Sequence, residues 1–169
     1  NHDHPRIINR FGSVEYRTES AKTIANSYML QCGTPFIYQG QEIGMTNIKV
    51  DSVDRYTDTQ VKSTYQLFKK LGFSDKMFLK VANRASRDNS RTPVQWTAEK
   101  NAGFTTGTPW IKVIDGYEKI NAEVEDKDPN SVLNFYRKMT KLRHENSTLV
   151  YGEFKLAREN WKNVLSYYR

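Results

Sequence analysis

Cysteine occurs once in this sequence of 169 residues, at Cys32, so no internal disulfide can form and the residue is expected in the core. Histidine is nearly as scarce. His2, His4 and His144 make with Cys32 no cluster of metal-ligand spacing, and neither a metal nor any other cofactor is expected. No apolar run approaches the ~20 residues that a bilayer demands, so no membrane partner is expected and the setting is read as cytoplasmic. Segregated charge is also missing. The 26 Lys and Arg exceed the 19 Asp and Glu by enough to give a net charge of +7, a balance that can serve phosphate binding. The two signs nevertheless interleave, as at residues 17–19 and 123–128, and no basic stripe carries intervening aromatics. These charges read as a solvated surface, which argues against nucleic acid as a partner.

What is present is core-forming material: three Trp, ten Tyr and eight Phe in a chain long enough for one domain. The sequence opens on Asn1 with no initiator Met or targeting segment. It closes on a strand-like run, 163–169, with nothing after it to pair with, and is read as a piece of a longer protein.

Periodicity gives the elements. Ala21, Ile24, Ala25, Tyr28, Met29 and Cys32 recur at helical spacing, with Thr18 placed to cap the start and Gly33 to end it. The apolar run 34–40 after that stop reads as a strand, Pro35 lying near its first position where the missing N–H is tolerated. Loop, helix and strand in this order are half of an alternating β/α repeat, which places the functional loops at the carboxyl ends of parallel strands, here residues 1–6 and 39–47. Across 51–85, Val61, Tyr65 and Phe68 predict one short helix, and Met77, Phe78, Val81 and Ala82 after Ser74-Asp75 predict another. Asn130-Ser131 starts a further helix with Val132, Phe135, Tyr136, Met139 and Leu142 on one face. Residues 151–157 and 164–168 read as two strands.

Four segments carry chemistry. Asn1-His2-Asp3-His4-Pro5-Arg6 alone is compatible with an Asx-type turn. It also resembles the segment ending the seventh barrel strand of the α-amylase superfamily, glycoside hydrolase family 13. Residues 33–47, GTPFIYQGQEIGMTN, resemble the eighth strand and following loop of the oligo-1,6-glucosidase group in that family, with Gln41 where Glu is usual. Residues 86–96, SRDNSRTPVQW, and 102–110, AGFTTGTPW, are similar to two further signatures of the group, with Val94 where Met is common.

The resemblance implies an α/β fold: the carboxyl-terminal part of a TIM-type (β/α)8 barrel, followed by the start of a small all-β domain. Residues 1–148 would be the last two β/α units with an insertion at about 51–115, and 149–169 the start of the antiparallel domain. It further implies a retaining α-glucosidase acting on short gluco-oligosaccharides, partnered by the rest of the barrel. In such enzymes one carboxylate attacks the sugar while another carboxyl protonates the leaving oxygen. Both lie on earlier strands in the family and are absent from this sequence. Asp3 corresponds to the third carboxylate, which stabilises the charged transition state, and His2 and Arg87 to residues contacting the same sugar. Arg87 has an alternative reading as a loop ion pair with Asp88. Gln60 stands where the group often has Glu near the leaving sugar; it also fits the start of a helix. Arg91 is read as structural, and His4 and Arg6 as holding the loop. A sucrose isomerase or other transglycosylating member is the alternative within the family. A carbohydrate-binding homologue without catalysis is the alternative outside enzymes.

Overall fold

The computed structural model describes residues 1–157 and 162–169, and these are mostly helical. In chain order the helices are α1 (Ile7–Phe11), α2 (Arg17–Met29), α3 (Thr59–Lys70), α4 (Asp75–Ala85), α5 (Asp88–Arg91), α6 (Ala122–Lys127), α7 (Val132–Glu145) and α8 (Ser147–Tyr151). Short 3-10 turns lie at Val53–Arg55 and Lys100–Gly103. Among the described residues the only strands are β1 (Lys155–Leu156) and β2 (Tyr167–Tyr168), paired antiparallel with Lys155 opposite Tyr168.

Side-chain caps fix where the helices begin. Ser74 accepts a hydrogen bond from the Met77 amide, Ser131 from the Asn134 amide and Asp58 from the Gln60 amide, each satisfying a donor that a helix start leaves open. Thr18 does not act this way: α2 begins at Arg17, and Tyr16 at its cap position makes no side-chain bond. The helix also stops at Met29, before Cys32. That cysteine sits in the bend beyond and is exposed, contrary to the core expectation, because the helical face that was to bury it has already ended.

Two apolar clusters form. In one, Ile8, Ala21, Ala25 and Met29 pack against Val132, Tyr136 and Met139, so α2 lies on α7. Arg143 ties the end of that pair: its guanidinium donates to the carbonyls of Met29 (2.8 Å), Gln31 (2.6 Å) and Leu149 (3.2 Å), and also to that of Gly33. Beside them the Gln41 amide donates to both Tyr28 and Tyr136 hydroxyls, 2.9 Å each, which are 3.2 Å apart. Burial first, then the bond to Tyr136, pushes the Tyr28 phenol far above its ordinary range. In the other cluster, Ile43, Met45, Ile48 and Val50 pack with Tyr56, Val61, Phe78, Ala82, Ile111 and Ile114, which gathers α3, α4 and the loops around them.

The strand expected at 34–40 is not formed: residues 34–38 have no ladder partner, and Phe36 is 85% and Ile37 41% exposed. A strand exists only by pairing, and no other described segment lies alongside to supply the bonds. The expected parallel sheet is therefore not seen among these residues. The expected strand at 151–157 shortens to its end, since Tyr151 belongs to α8 and β1 starts at Lys155.

Candidate active site

The first six residues fold as a tight loop because Asn1 closes it: its side-chain oxygen accepts the Asp3 amide at 2.8 Å, and its carbonyl accepts the His4 amide at 3.4 Å. The Asx-type bond thus belongs to Asn1. Asp3 keeps its carboxylate free for other partners. Arg6 anchors the loop from beneath: it is buried, with Nε donating to the Asn89 carbonyl (3.0 Å), one terminal nitrogen to the Gln39 carbonyl (2.5 Å) and the other to the Thr92 hydroxyl (3.1 Å). Burial pulls the guanidinium down to about 10, so it is still charged at neutral pH. The Arg6 amide donates to Asn47, and the Ser90 hydroxyl to the His4 carbonyl. One side chain and its neighbours thereby join three loops, 1–6, 39–47 and 86–92.

Those loops carry a charge network. The Asp3 carboxylate meets Arg91 at 3.0 Å and Arg87 at 3.9 Å on one oxygen, and His2 Nε2 at 3.0 Å on the other. Arg91 Nε also donates to the His2 carbonyl at 3.1 Å, so Arg91 holds both the carboxylate and the backbone that bears it. Arg87 grips Asp58 bidentately, Nε at 2.9 Å and a terminal nitrogen at 2.5 Å. These bonds hold the Asp58 carboxyl below its ordinary range and raise the Arg87 guanidinium. The loop pair of Arg87 with Asp88 is not made. Asp88 instead accepts from the Thr57 amide (2.7 Å), the Thr57 hydroxyl (2.9 Å) and the Asp58 amide (3.2 Å), presenting Asp58 to Arg87.

Asp3, Asp58, Gln60 and Arg87 share a cleft of about 470 Å³, with Val61 and the Phe78, Val81, Ala82 and Ala85 face of α4 as its other wall. Three of the four residues expected to act, Asp3, Arg87 and Gln60, are thus brought together; His2 stands beside Asp3, mostly exposed, outside the cleft lining. Two participants were missed. Arg91 follows Arg87 by four residues, the spacing that puts two side chains on one side of a helical turn, and that was the available signal. For Asp58 the signal was its place before a helix start, which explains its cap but not its grip on Arg87.

A carboxylate pinned by guanidinium groups at the end of a cleft can accept hydrogen bonds from hydroxyls and stabilise positive charge developing near it. Asp58 is not a proton donor, because its bonds to Arg87 hold its carboxyl below the ordinary range. Among the described residues no group of three His, Cys, Asp or Glu could hold a metal ion, and no helix is long and apolar enough to cross a membrane.

The family described as Alpha amylase, catalytic domain, matches residues 1–152. An oligo-1,6-glucosidase of Halalkalibacterium halodurans is 43% identical over 170 aligned positions, which take in all of this chain and 30% of that protein. Among solved structures, trehalose-6-phosphate hydrolase of Bacillus licheniformis superposes with a TM-score of 0.95 at 44% identity, over 99% of this chain and 30% of that one. Isomaltulose synthase of Klebsiella sp. superposes with a TM-score of 0.92 at 42% identity, over 99% of this chain and 31% of that one. The chain spans about 30% of the length of such relatives.

Proposed function

Since the chain belongs to the α-amylase family, glycoside hydrolase family 13, and spans about 30% of its oligo-1,6-glucosidase relatives, we propose that it is the site-completing part of a retaining α-glucosidase acting on short gluco-oligosaccharides. The observation that carries this reading is the Asp3 carboxylate, held by Arg91 and Arg87 at the end of a cleft. In a retaining reaction a carboxylate elsewhere in the full-length enzyme attacks the anomeric carbon as a carboxyl group protonates the departing oxygen, and water then releases the sugar with the same two groups. Neither group is assigned to this chain. Asp3 contributes negative charge and hydrogen-bond acceptance toward the reacting sugar as it takes on oxocarbenium character, and Arg87, Arg91 and His2 hold that carboxylate and contact hydroxyls.

The architecture we propose for the full-length enzyme is a (β/α)8 barrel, with residues 1–148 forming its last two β/α units and 149–169 opening an antiparallel domain. Two open apolar grooves beside residues 36–38 support this, one lined by α1 and α2 and one by α7, since a neighbouring strand would fill each of them. Glu42, in the second groove, has a buried carboxylate oxygen without a partner among the described residues, as a group awaiting a donor from the rest of the barrel does.

The test is the full-length enzyme on isomaltose, maltose and sucrose, with the product anomer followed as it forms. Release of α-glucose supports the reading. A rearranged disaccharide from sucrose favours the transglycosylating alternative, which the likeness to isomaltulose synthase makes the second choice. Absence of turnover on all three, and on trehalose 6-phosphate, overturns both and leaves a sugar-binding homologue. The chain of 169 residues by itself is expected to turn over nothing, since on this reading the nucleophile and the acid lie elsewhere in the full-length enzyme.

A further inference from the structure

Resting on that reading, we propose that Asp58 is a positioning residue for the reaction: it holds Arg87 beside the Asp3 carboxylate and keeps the guanidinium from closing onto it. Arg87 stands between two carboxylates. It grips Asp58 with two nitrogens, Nε at 2.9 Å and a terminal nitrogen at 2.5 Å, while its other terminal nitrogen stops 3.9 Å from Asp3. That separation lies outside hydrogen-bond range, so Arg87 acts on Asp3 by charge alone, whereas Arg91 bonds the same Asp3 oxygen at 3.0 Å.

Burial sets the preference of Arg87 for one carboxylate over the other. The Asp58 side chain is 2% exposed and that of Asp3 47%, so the pair with Asp58 is shielded from water while the approach to Asp3 is screened by it. Asp58 is itself fixed on two sides. Its amide donates to Asp88, as do the amide and hydroxyl of Thr57, and one of its oxygens accepts the Gln60 amide at the start of α3. Asp88, beside Arg87 in the sequence, is engaged by those three donors and does not compete for the guanidinium. Without a charge at position 58, the attraction of Asp3 is unopposed and draws Arg87 onto an oxygen that Arg91 already holds. A carboxylate bonded by two guanidinium groups offers less negative charge to a sugar taking on oxocarbenium character.

The experiment is a double-mutant cycle on the full-length enzyme, reading kcat and KM for an aryl α-glucoside. Asn caps a helix as well as Asp does, so Asp58→Asn keeps the start of α3 and the Gln60 amide bond but gives up the charged grip on Arg87. It should lower kcat about ten- to thirtyfold with KM changed less than about threefold, since what is lost acts in the transition state. In an Arg87→Gln background, where there is no guanidinium to place, the same substitution should change kcat less than about twofold. Equal losses in both backgrounds overturn the inference, because Asp58 would then act through the fold and not through Arg87. An undiminished kcat in Asp58→Asn overturns it as well. Melting temperatures check the fold, and Asp58→Ser, a second neutral cap, carries the cycle if Asp58→Asn does not fold. Unfolding of both variants makes Asp58 a folding residue and overturns the inference alone. No turnover of glucosides by the unaltered enzyme overturns the glycosidase reading and the inference with it.

Discussion

Residues 34–38 and 39–47 are consecutive, yet the chain treats them oppositely. From Gln39 onward the backbone is tied into the molecule: the Gln39 carbonyl accepts from Arg6, the Asn47 side chain accepts the Arg6 amide and donates to the Asn83 carbonyl, and Ile43 and Met45 are buried. Before it, Phe36 and Ile37 face outward and no ladder forms. Tyr38 stands at the border, its hydroxyl donating to the Ser90 carbonyl at 2.8 Å. The polar loops find their partners within this chain, whereas the apolar flank of Phe36 and Ile37 finds none among the described residues. A site loop can therefore be complete while the scaffold beside it is not.

The sharpest way to exploit this difference is at Asp3, on the completed side. Asp3→Asn in the full-length enzyme should cut kcat/KM on the order of a hundredfold, about 3 kcal/mol of barrier, because Asn offers no negative charge to the developing cation. Steady-state kinetics with a melting temperature near wild type would bear this out, and undiminished efficiency would return Asp3 to a structural role.

On the other side, Phe36→Ala should separate the two states of the flank. In the chain of 169 residues the side chain is 85% exposed, and its loss should change stability by less than about 0.5 kcal/mol. If a barrel strand buries it in the full-length enzyme, as the proposed architecture requires, denaturant titration should register a loss of about 3 kcal/mol. Equal, small effects in both would mean that no neighbour covers this residue.

Arg6→Met tests the tie itself and should lower stability by about 2 kcal/mol in either length of chain, since the carbonyls of Gln39 and Asn89 lose a charged donor. A cost confined to the full-length enzyme would show that the junction is not self-sufficient.

Smaller still is Gln60→Glu, at the cleft but exposed. The change from a donor and acceptor to a pure acceptor should shift the ratio of isomaltose to maltose hydrolysis several-fold, about 0.5 to 1.5 kcal/mol, with an aryl glucoside nearly unaffected. Parallel changes on all three substrates would remove Gln60 from the leaving-group side.

The least effect is expected from acid. Asp58 has a folded-state carboxyl lowered by its bonds to Arg87, so it contributes stability that is fully present above about pH 4, the ordinary range of an unfolded Asp, and is lost as pH falls through the lowered folded value. Melting temperatures between pH 5 and 2 should fall less steeply in Asp58→Asn than in wild type; identical slopes would mean the pair adds nothing.

How much of this was legible follows from how far each signal reaches along the chain. Helices α3, α4 and α7 and the caps Ser74 and Ser131 are local matters of spacing and hydroxyl placement, and the sequence reading located them. Arg6 as a loop anchor was also readable. Thr18 and Cys32 were misplaced because the true start and end of α2 depend on its packing against α7, where Val132 and Tyr136 decide which turns are buried. The strand at 34–40 had the right composition but lacked a second strand, which no composition can provide. In the site, Asp3, Arg87 and Gln60 were each singled out from the sequence, and the fold brings them, 27 to 84 positions apart, to one cleft. The pairing of Arg87 with Asp58 rather than its neighbour Asp88 was hidden, because Thr57 occupies Asp88 and only the folded chain reveals it.

Arg143 sets a timetable for synthesis. Its carbonyl partners Met29, Gln31 and Gly33 precede it by 114, 112 and 110 residues. At roughly 5–20 residues per second, the end of α2 leaves the ribosome on the order of 6–20 s before the side chain that closes it has been made. Throughout that interval the apolar face Ala21, Ala25 and Met29 has no α7 to lie against, so the nascent chain carries it uncovered until Val132, Tyr136 and Met139 have been made.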